Sequence, residues 1–355
     1  MPDLKEWFGT LDRVPAPDLW RKVERRRPAE LSLDRSGRRV AVAILALAVA
    51  AAGVGAAVWA FVGREGGRPV ATPLPIRPKA NGAIAFVSRP SSPVPFVHVV
   101  RADGKGLVDL APGGSPSWSP DGTRIAFVGR GGINVMNADG GGVTLLSHCG
   151  RPQCDDDQPT WSPDGKQIAF VRGGAVYSGD IYVMNADGSS VRRLTRARTK
   201  DGVWQPAWSP DGTRIAFTVV RAPPRDVSEI YVMNADGTEV RKLTDCGGQN
   251  CSDSAPSWSP DGRRIAFVRT YAIYEMDADG SAVRALVSCS GIPNCVLVRD
   301  PEWSPDGSEV VFTVEGQDSH RPRLFTIELA TGKTRALLPP KVFACCPAWQ
   351  PLPSG

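Results

Sequence analysis

Eight cysteines, three histidines and a run of loop acids are the residues of this chain whose types could do chemistry. Six of the cysteines fall into close pairs: Cys149 with Cys154, Cys246 with Cys251, and Cys289 with Cys295. Cys345 and Cys346 are adjacent. An even count, local pairing and an external location together favour disulfides over a zinc site built from the same thiolates. Each bridge would close a loop of about six residues, worth roughly 2 kcal/mol of chain entropy. A bond between Cys345 and Cys346 would make a strained ring. His98, His148 and His320 show no metal-ligand spacing and follow no nucleophile motif. No Gly-x-Ser-x-Gly elbow is present. Asp155, Asp156 and Asp157 could act on a glycosidic bond only opposite another positioned carboxyl group. Asp277-Ala278-Asp279-Gly280 hints at calcium, but turn chemistry accounts for such aspartates without a metal. Neither metal nor cofactor is expected.

The elements that must position these residues are set by a self-repeat. Trp118-Ser-Pro-Asp-Gly-Thr-Arg-Ile-Ala-Phe127 returns as 161–170, 208–217, 258–267 and, more loosely, 303–312. The tryptophans are 43, 47, 50 and 45 residues apart. A second phrase, Ile-Tyr-Val-Met-Asn-Ala-Asp-Gly, starts at Ile181 and Ile230, with a close variant at Ile133. A period of that length marks a repeat architecture. Each unit reads as four short strands: Pro-x-Trp, Ile-Ala-Phe, Ile-Tyr-Val-Met and Val-Arg-x-Leu-Thr. One such sheet cannot bury both of its faces, whereas six arranged radially bury face against face. The Ile-Ala-Phe strand occurs six times, at Ile84, Ile125, Ile168, Ile215, Ile265 and the variant Val310. The Pro-x-Trp strand also occurs six times but is offset, beginning at Pro116 and ending at Pro347-Ala348-Trp349. The C-terminal copy is therefore expected to supply the missing first strand of the unit that begins at Asn81. The expected fold is an all-β, six-bladed propeller of four-stranded antiparallel blades over 81–351, followed by a short tail, 352–355. Trp118, Trp161, Trp208, Trp258, Trp303 and Trp349 are expected to anchor the core between blades.

The Trp-Ser-Pro-Asp-Gly…Ile-Ala-Phe…Ile-Tyr-Val-Met-Asn-Ala-Asp-Gly…Leu-Thr pattern resembles the TolB-type, WD-repeat-like six-bladed propellers of bacteria. The resemblance covers roughly 81–350. It implies a binding platform for proteins or cell-envelope components without chemistry of its own. TolB proper carries an α/β domain before its propeller, and this chain does not, so the Tol–Pal role is not implied.

In such a ring the Ser-Pro-Asp-Gly and Asn-Ala-Asp-Gly turns share one face. The variable loops, the cysteines and the approaches to each Pro-x-Trp strand share the other. Binding function concentrates in such loops on a rigid scaffold. Asp156, Asp157, Gln158, Trp204, Gln205, Arg299 and Asp300 are the candidates to face a ligand at the mouth of the channel. Six residues follow Trp349, and no hydrolase domain of the propeller-peptidase kind is expected there. A glycan- or cell-wall-active enzyme using the propeller mouth is the alternative function.

Val40 to Val62 is 23 residues without a charge. As a helix it spans roughly 35 Å, enough to cross a bilayer with some tilt. Eight Lys/Arg flank it on the N-terminal side and four on the C-terminal side, which places the N-terminus in the cytoplasm and the propeller outside the cell membrane. Residues 63–80 are rich in proline and glycine and read as a tether. Residues 1–39 are basic, with ten Lys/Arg against seven Asp/Glu. They carry Leu4, Trp7, Phe8 and Leu11 on one helical face, and Asp18 can cap a second helix. Such a tail suits anionic headgroups or a cytoplasmic protein partner. Its Pro-Ala-Pro-Asp-Leu-Trp run resembles the cytoplasmic segments of bacterial anti-sigma factors. The rest of the chain is nearly balanced in charge, 32 against 30, which does not suit nucleic acid. The expected ligand is an envelope protein, peptide or glycan.

Overall fold

The computed structural model describes residues 82–88, 94–150, 155–173, 179–197, 201–221, 227–245, 251–317 and 321–352. The chain divides into two units, Met1–Ala71 and Thr72–Gly355, and all described residues belong to the second. The tail over 1–39, the span over 40–62, the tether over 63–80, Cys154, Cys246 and His320 lie outside them. No helix among the described residues is long and apolar enough to cross a membrane.

The described residues form six four-stranded antiparallel sheets. The first contains β1 (Ala83–Ser88), β2 (Phe96–Arg101) and β3 (Val108–Pro112). The second contains β4 (Gly114–Trp118), β5 (Arg124–Gly129), β6 (Gly132–Asn137) and β7 (Thr144–Ser147). The third runs through β8 (Asp155–Trp161), β9 (Gln167–Gly173), β10 (Asp180–Asn185) and β11 (Arg192–Arg193). The fourth has β12 (Asp201–Trp208), β13 (Arg214–Arg221), β14 (Val227–Asn234) and β15 (Arg241–Lys242). The fifth has β16 (Asp253–Trp258), β17 (Arg264–Arg269), β18 (Ala272–Asp277) and β19 (Arg284–Val287). The sixth has β20 (Cys295–Trp303), β21 (Glu309–Gly316), β22 (Arg323–Glu328) and β23 (Thr334–Ala336). Finally β24 (Cys345–Trp349) returns to the first sheet and pairs with β1, Ile84 opposite Trp349. Strands of one blade therefore come from both ends of the ring.

The blades are held by burial between their faces. Ala83, Ala85 and Val97 of the first blade pack with Trp118, Ile125 and Phe127 of the second. Ile84 and Phe86, on the opposite pleat, pack with Val311 and Leu324 of the sixth. Alternation along β1 thus feeds two interfaces. The arginine that ends each Trp-Ser-Pro-Asp-Gly-x-Arg phrase crosses to the next blade: Arg124 lies 4.7 Å over Trp161, Arg214 4.7 Å over Trp258 and Arg264 4.6 Å over Trp303. Gln350 locks the closure. It accepts from Ala83 N at 3.0 Å and donates to Gly122 O at 2.9 Å, joining the C-terminal segment to the first and second blades.

Each Ser-Pro-Asp-Gly turn satisfies itself. The serine hydroxyl donates to the aspartate, at 2.6 Å for Ser162 to Asp164, and accepts from Gln167 N at 2.9 Å. Gly165 has φ +70°, and a Cβ there would stand 3.2 Å from Pro120 of the preceding blade. Glycine is required for both the conformation and the close approach.

Candidate functional site

The six inner strands β4, β8, β12, β16, β20 and β24 surround a central cavity of about 480 Å³. Their common register builds its wall in layers. The first layer is Ser115, Gln158, Gln205, Ala255, Asp300 and Cys346. The second is six prolines, from Pro116 to Pro347. The third is Ser117, Thr160, Ala207, Ser257, Glu302 and Ala348.

All six first-layer residues have left-handed backbones, with φ between 47° and 57°. Each sits at a β-bulge, for example between Asp157 and Thr160 in β8 and between Arg299 and Glu302 in β20. Non-glycine residues in that region cost about 1–3 kcal/mol each and persist only where surrounding structure holds them. A belt of hydrogen bonds between blades does so. Gln205 N donates to Gln158 Oε1 at 2.7 Å, and Ala255 N to Gln205 Oε1 at 2.9 Å. Cys346 N donates to Thr313 Oγ1 at 3.3 Å, and Thr313 in turn donates to Asp300 Oδ2 at 3.1 Å.

This geometry distributes the seven sequence-derived candidates. Gln158, Gln205 and Asp300 line the cavity. Asp157 lies beside them, accepting from Ser115 Oγ at 3.0 Å and Gln158 N at 2.6 Å. Burial pushes its carboxyl above the ordinary range, against those donors. Asp156 points the other way. It is buried and grips Arg172 through two bonds at 2.6 and 2.8 Å. Arg299 bridges Asp300, at 3.6 Å, and Glu315. Trp204 pairs with Thr218 of β13 and is absent from the cavity wall.

Glu302 is the wall residue that the sequence reading passed over. The residue between proline and tryptophan is serine, threonine or alanine in five blades and glutamate in the sixth. That departure was visible, but its meaning depended on knowing that this position faces the bore. The Ser257 hydroxyl donates to Glu302, yet burial outweighs it and lifts the carboxyl to about 7. Asp300 and Glu302 are the charged residues among those lining the cavity.

The cysteines cluster on the face where the variable loops enter. Cys289 and Cys295 are bonded, with Cα atoms 5.2 Å apart. Cys149 and Cys251 are also disulfide-bonded. Cys345 and Cys346 are free thiols with sulfurs 2.7 Å apart. Their pairing, which the sequence leaves open, is not formed here, in keeping with the strain that a bond between neighbours puts on the peptide unit joining them. Contact with Cys345, then burial, raises the Cys346 thiol. Among the described residues no group of three or more His, Cys, Asp or Glu is placed to hold a metal ion.

One further polar row crosses the first blade. Ser88 Oγ lies 2.6 Å from His98 Nε2, and His98 Nδ1 lies 2.7 Å from Asp109 Oδ1. His98 occupies the position of Tyr182, Tyr231 and Tyr274 in other blades, each paired with the phenylalanine of the neighbouring strand. It stacks on Phe86 at 5.2 Å. Ser88 is 9% exposed, whereas the Asp109 side chain is 72% exposed. The row ties β1, β2 and β3 together from the core to the rim.

Residues 197–351 match the family described as PD40, TolB beta propeller domain. The ring is a six-bladed β-propeller similar in fold to the propeller of TolB. It is similar to TolB from Acinetobacter baumannii, at 24% identity over 78% of this chain and 68% of that one, with a TM-score of 0.63. Putative TolB from Agrobacterium tumefaciens matches at 20% identity over 78% of this chain and all of that one, with a TM-score of 0.57. The hydrazine synthase of Kuenenia stuttgartiensis matches at 16% identity over 78% of this chain and 47% of that one, with a TM-score of 0.62. At these identities the likeness is one of fold. Comparison with the curated proteins returns no match.

Proposed function

We propose that the propeller is the extracytoplasmic binding module of a single-pass bacterial envelope protein, and that an envelope protein, peptide or glycan enters its central channel from the variable-loop face. The observation that carries this reading is the channel wall. Turns, core and blade interfaces repeat almost identically, while the first and third layers facing the bore change from blade to blade on either side of a constant ring of prolines. A scaffold that repeats in its core and varies at its concave surface and loops has the form of a binding platform. The uncharged stretch Val40–Val62 and its charge asymmetry support membrane anchoring. The Cys289–Cys295 bridge supports an oxidising location. In this reading residues 1–39 anchor the chain to headgroups or relay binding to a cytoplasmic protein.

A photo-crosslinking residue placed at Asp155, exposed at the start of β8, tests the reading against one placed at Thr238, exposed on the Asn-Ala-Asp-Gly face. In intact cells the Asp155 position should capture a defined envelope component and the Thr238 position should not. Equal capture from both, or capture from Thr238 alone, would remove the channel from the account. Turnover of cell-wall fragments abolished by Asp157→Asn would replace a binding platform with a glycan-active enzyme.

A further inference from the structure

Around the third layer of the channel, Ser117, Thr160, Ala207, Ser257 and Ala348 are short and neutral, and Glu302 is long and acidic. Asp300, on the same strand, adds a second carboxylate one layer closer to the variable loops. No lysine, arginine or histidine is among the lining residues. The nearby cation, Arg299, is engaged with Asp300 and Glu315. Among the described residues, the hydrogen bond that lowers the Glu302 carboxyl against burial comes from the neutral Ser257 hydroxyl.

Three carboxylates buried elsewhere in the fold have cationic partners, whereas Asp157, beside the channel, has only neutral donors. Asp156 has Arg172, Asp253 has Arg269, and Glu275 has both Arg264 and Arg284. Glu302 faces open volume instead. A carboxyl group desolvated without a cation is costly in its charged form. A ligand cation arriving in the bore would supply the missing partner.

We infer that the channel binds a primary alkylammonium group, with Glu302 as its counter-ion and the proline layer as the sleeve for its aliphatic stem. This rests on the channel being the ligand's point of entry. The Ser257 hydroxyl occupies part of the carboxylate, which leaves less for the two parallel bonds of a guanidinium fork than for a compact ammonium. The hydroxyls of Ser117 and Thr160 share the same layer and are available acceptors for the remaining ammonium protons. Six prolines present apolar surface without donors, suited to a chain of methylenes. A lysine side chain of a peptide and a linear polyamine share this chemistry.

Binding must also displace the proton that Glu302 holds. Its carboxyl titrates near 7. Ser257 on β16, Thr160 on β8 and Ser117 on β4 share its layer, and Asp300 on its own strand and Cys346 on β24 line the layer nearer the variable loops; Arg299 lies off the wall, held by Asp300 and Glu315. Affinity for an ammonium should therefore climb about tenfold between about pH 6 and pH 8, where Glu302 passes from mostly neutral to mostly charged.

The test uses the full-length protein in detergent and isothermal titration calorimetry. The probes are 1,5-diaminopentane, Nα-acetyl-lysine amide and the latter's ε-acetylated form. The first two should bind with the stated pH dependence, and the ε-acetylated form should not. Glu302→Gln should lower affinity at pH 8 by tenfold or more and flatten the pH profile. Preference between the two amines separates a polyamine from a peptide lysine as the source. Equal affinity for free and ε-acetylated lysine amide on the wild-type protein would overturn the inference, even if Glu302→Gln failed to fold. Unchanged amine affinity in folded Glu302→Gln would also overturn it. Capture at Asp155 without any amine binding would leave the platform reading intact and remove the ammonium site alone.

Discussion

In the turns that follow β8, β12 and β16, Asp164, Asp211 and Asp261 each accept from a serine hydroxyl at 2.5–2.6 Å and from a backbone N–H two residues on at 3.0–3.1 Å. The serine hydroxyls and those amides hold the three carboxyl groups below their ordinary value. On the channel wall, Glu302 has a serine hydroxyl too, but burial pushes it up to about 7. The same repeat therefore carries acids in opposite states. Where the motif recurs unchanged, its acid is satisfied from within the turn. Where one blade departs from the motif, its acid is left seeking a partner from outside. The two sets also drive stability in opposite directions with pH. The folded chain binds the turn protons more weakly than the unfolded chain does, so their contribution is present at neutral pH and lost as pH falls below 3.8. It binds the Glu302 proton more strongly, so the contribution of Glu302 is fully present below 4.5 and is lost as pH rises to about 7.

Removing a part that recurs should do the greatest damage. Trp303 is 4% exposed, lies beneath Arg264 and packs with Val310, Phe312 and Ile273 across the fifth and sixth blades. Trp303→Ala should cost about 3–5 kcal/mol, measured as the shift in the urea midpoint at unchanged slope. The loss should be equal at acid and neutral pH, because no proton is involved. A loss below about 1 kcal/mol would mean that the repeated tryptophans are not what holds the blades together.

Glu302→Gln should have the opposite sign. At about pH 8 the wild-type protein carries a charge in a wall of prolines, and the amide removes it. Full desolvation would make the change worth about 3 kcal/mol from the rise in its pKa, and water in the open bore reduces that to about 1–3 kcal/mol. The variant should melt higher than wild type at pH 8 and equally at pH 4. A variant less stable at pH 8 would show that Glu302 is bonded into the wall and does not stand apart from the turn aspartates.

The architecture was largely written in the chain because repetition is read without knowing three-dimensional neighbours. Tryptophan spacing, turn glycines and the offset Pro-x-Trp count led to six blades and to closure by β24. The channel wall was harder to read. Asp156 and Asp157 are consecutive and look equivalent, yet strand alternation sends one to Arg172 and the other towards the bore. The bulge after Asp157 resets that alternation, and its left-handed Gln158 carries no glycine to announce it. Glu302 was hidden differently. Its neighbours across the bore come from five other blades, so its environment exists only once the ring is closed. The row from Ser88 to Asp109 needed the blade register before its histidine could be placed.

The smallest effect tests the satisfied half of the comparison. Asp211 accepts from Ser209 Oγ at 2.5 Å, Thr213 N at 3.0 Å and Thr213 Oγ1 at 2.9 Å, all within one exposed turn. Solvent competes for the two Thr213 bonds, and the buried Ser209 hydroxyl has Arg214 O at 3.1 Å as another acceptor, so Asp211→Ala should cost about 1 kcal/mol or less at neutral pH. Ser209 retains its acceptor role towards Arg214 N at 2.9 Å, and Gly212 keeps the turn's conformation, so the blade should still form. The cost should fade as pH falls below 3.8, because wild-type Asp211 then takes up a proton and loses the same advantage. Thermal melts of both proteins at about pH 7 and pH 3 read this directly. If the gap between them widened in acid, the carboxylate would be supported by more than its own turn, and the division between self-satisfied turns and an unsatisfied channel would have to be redrawn.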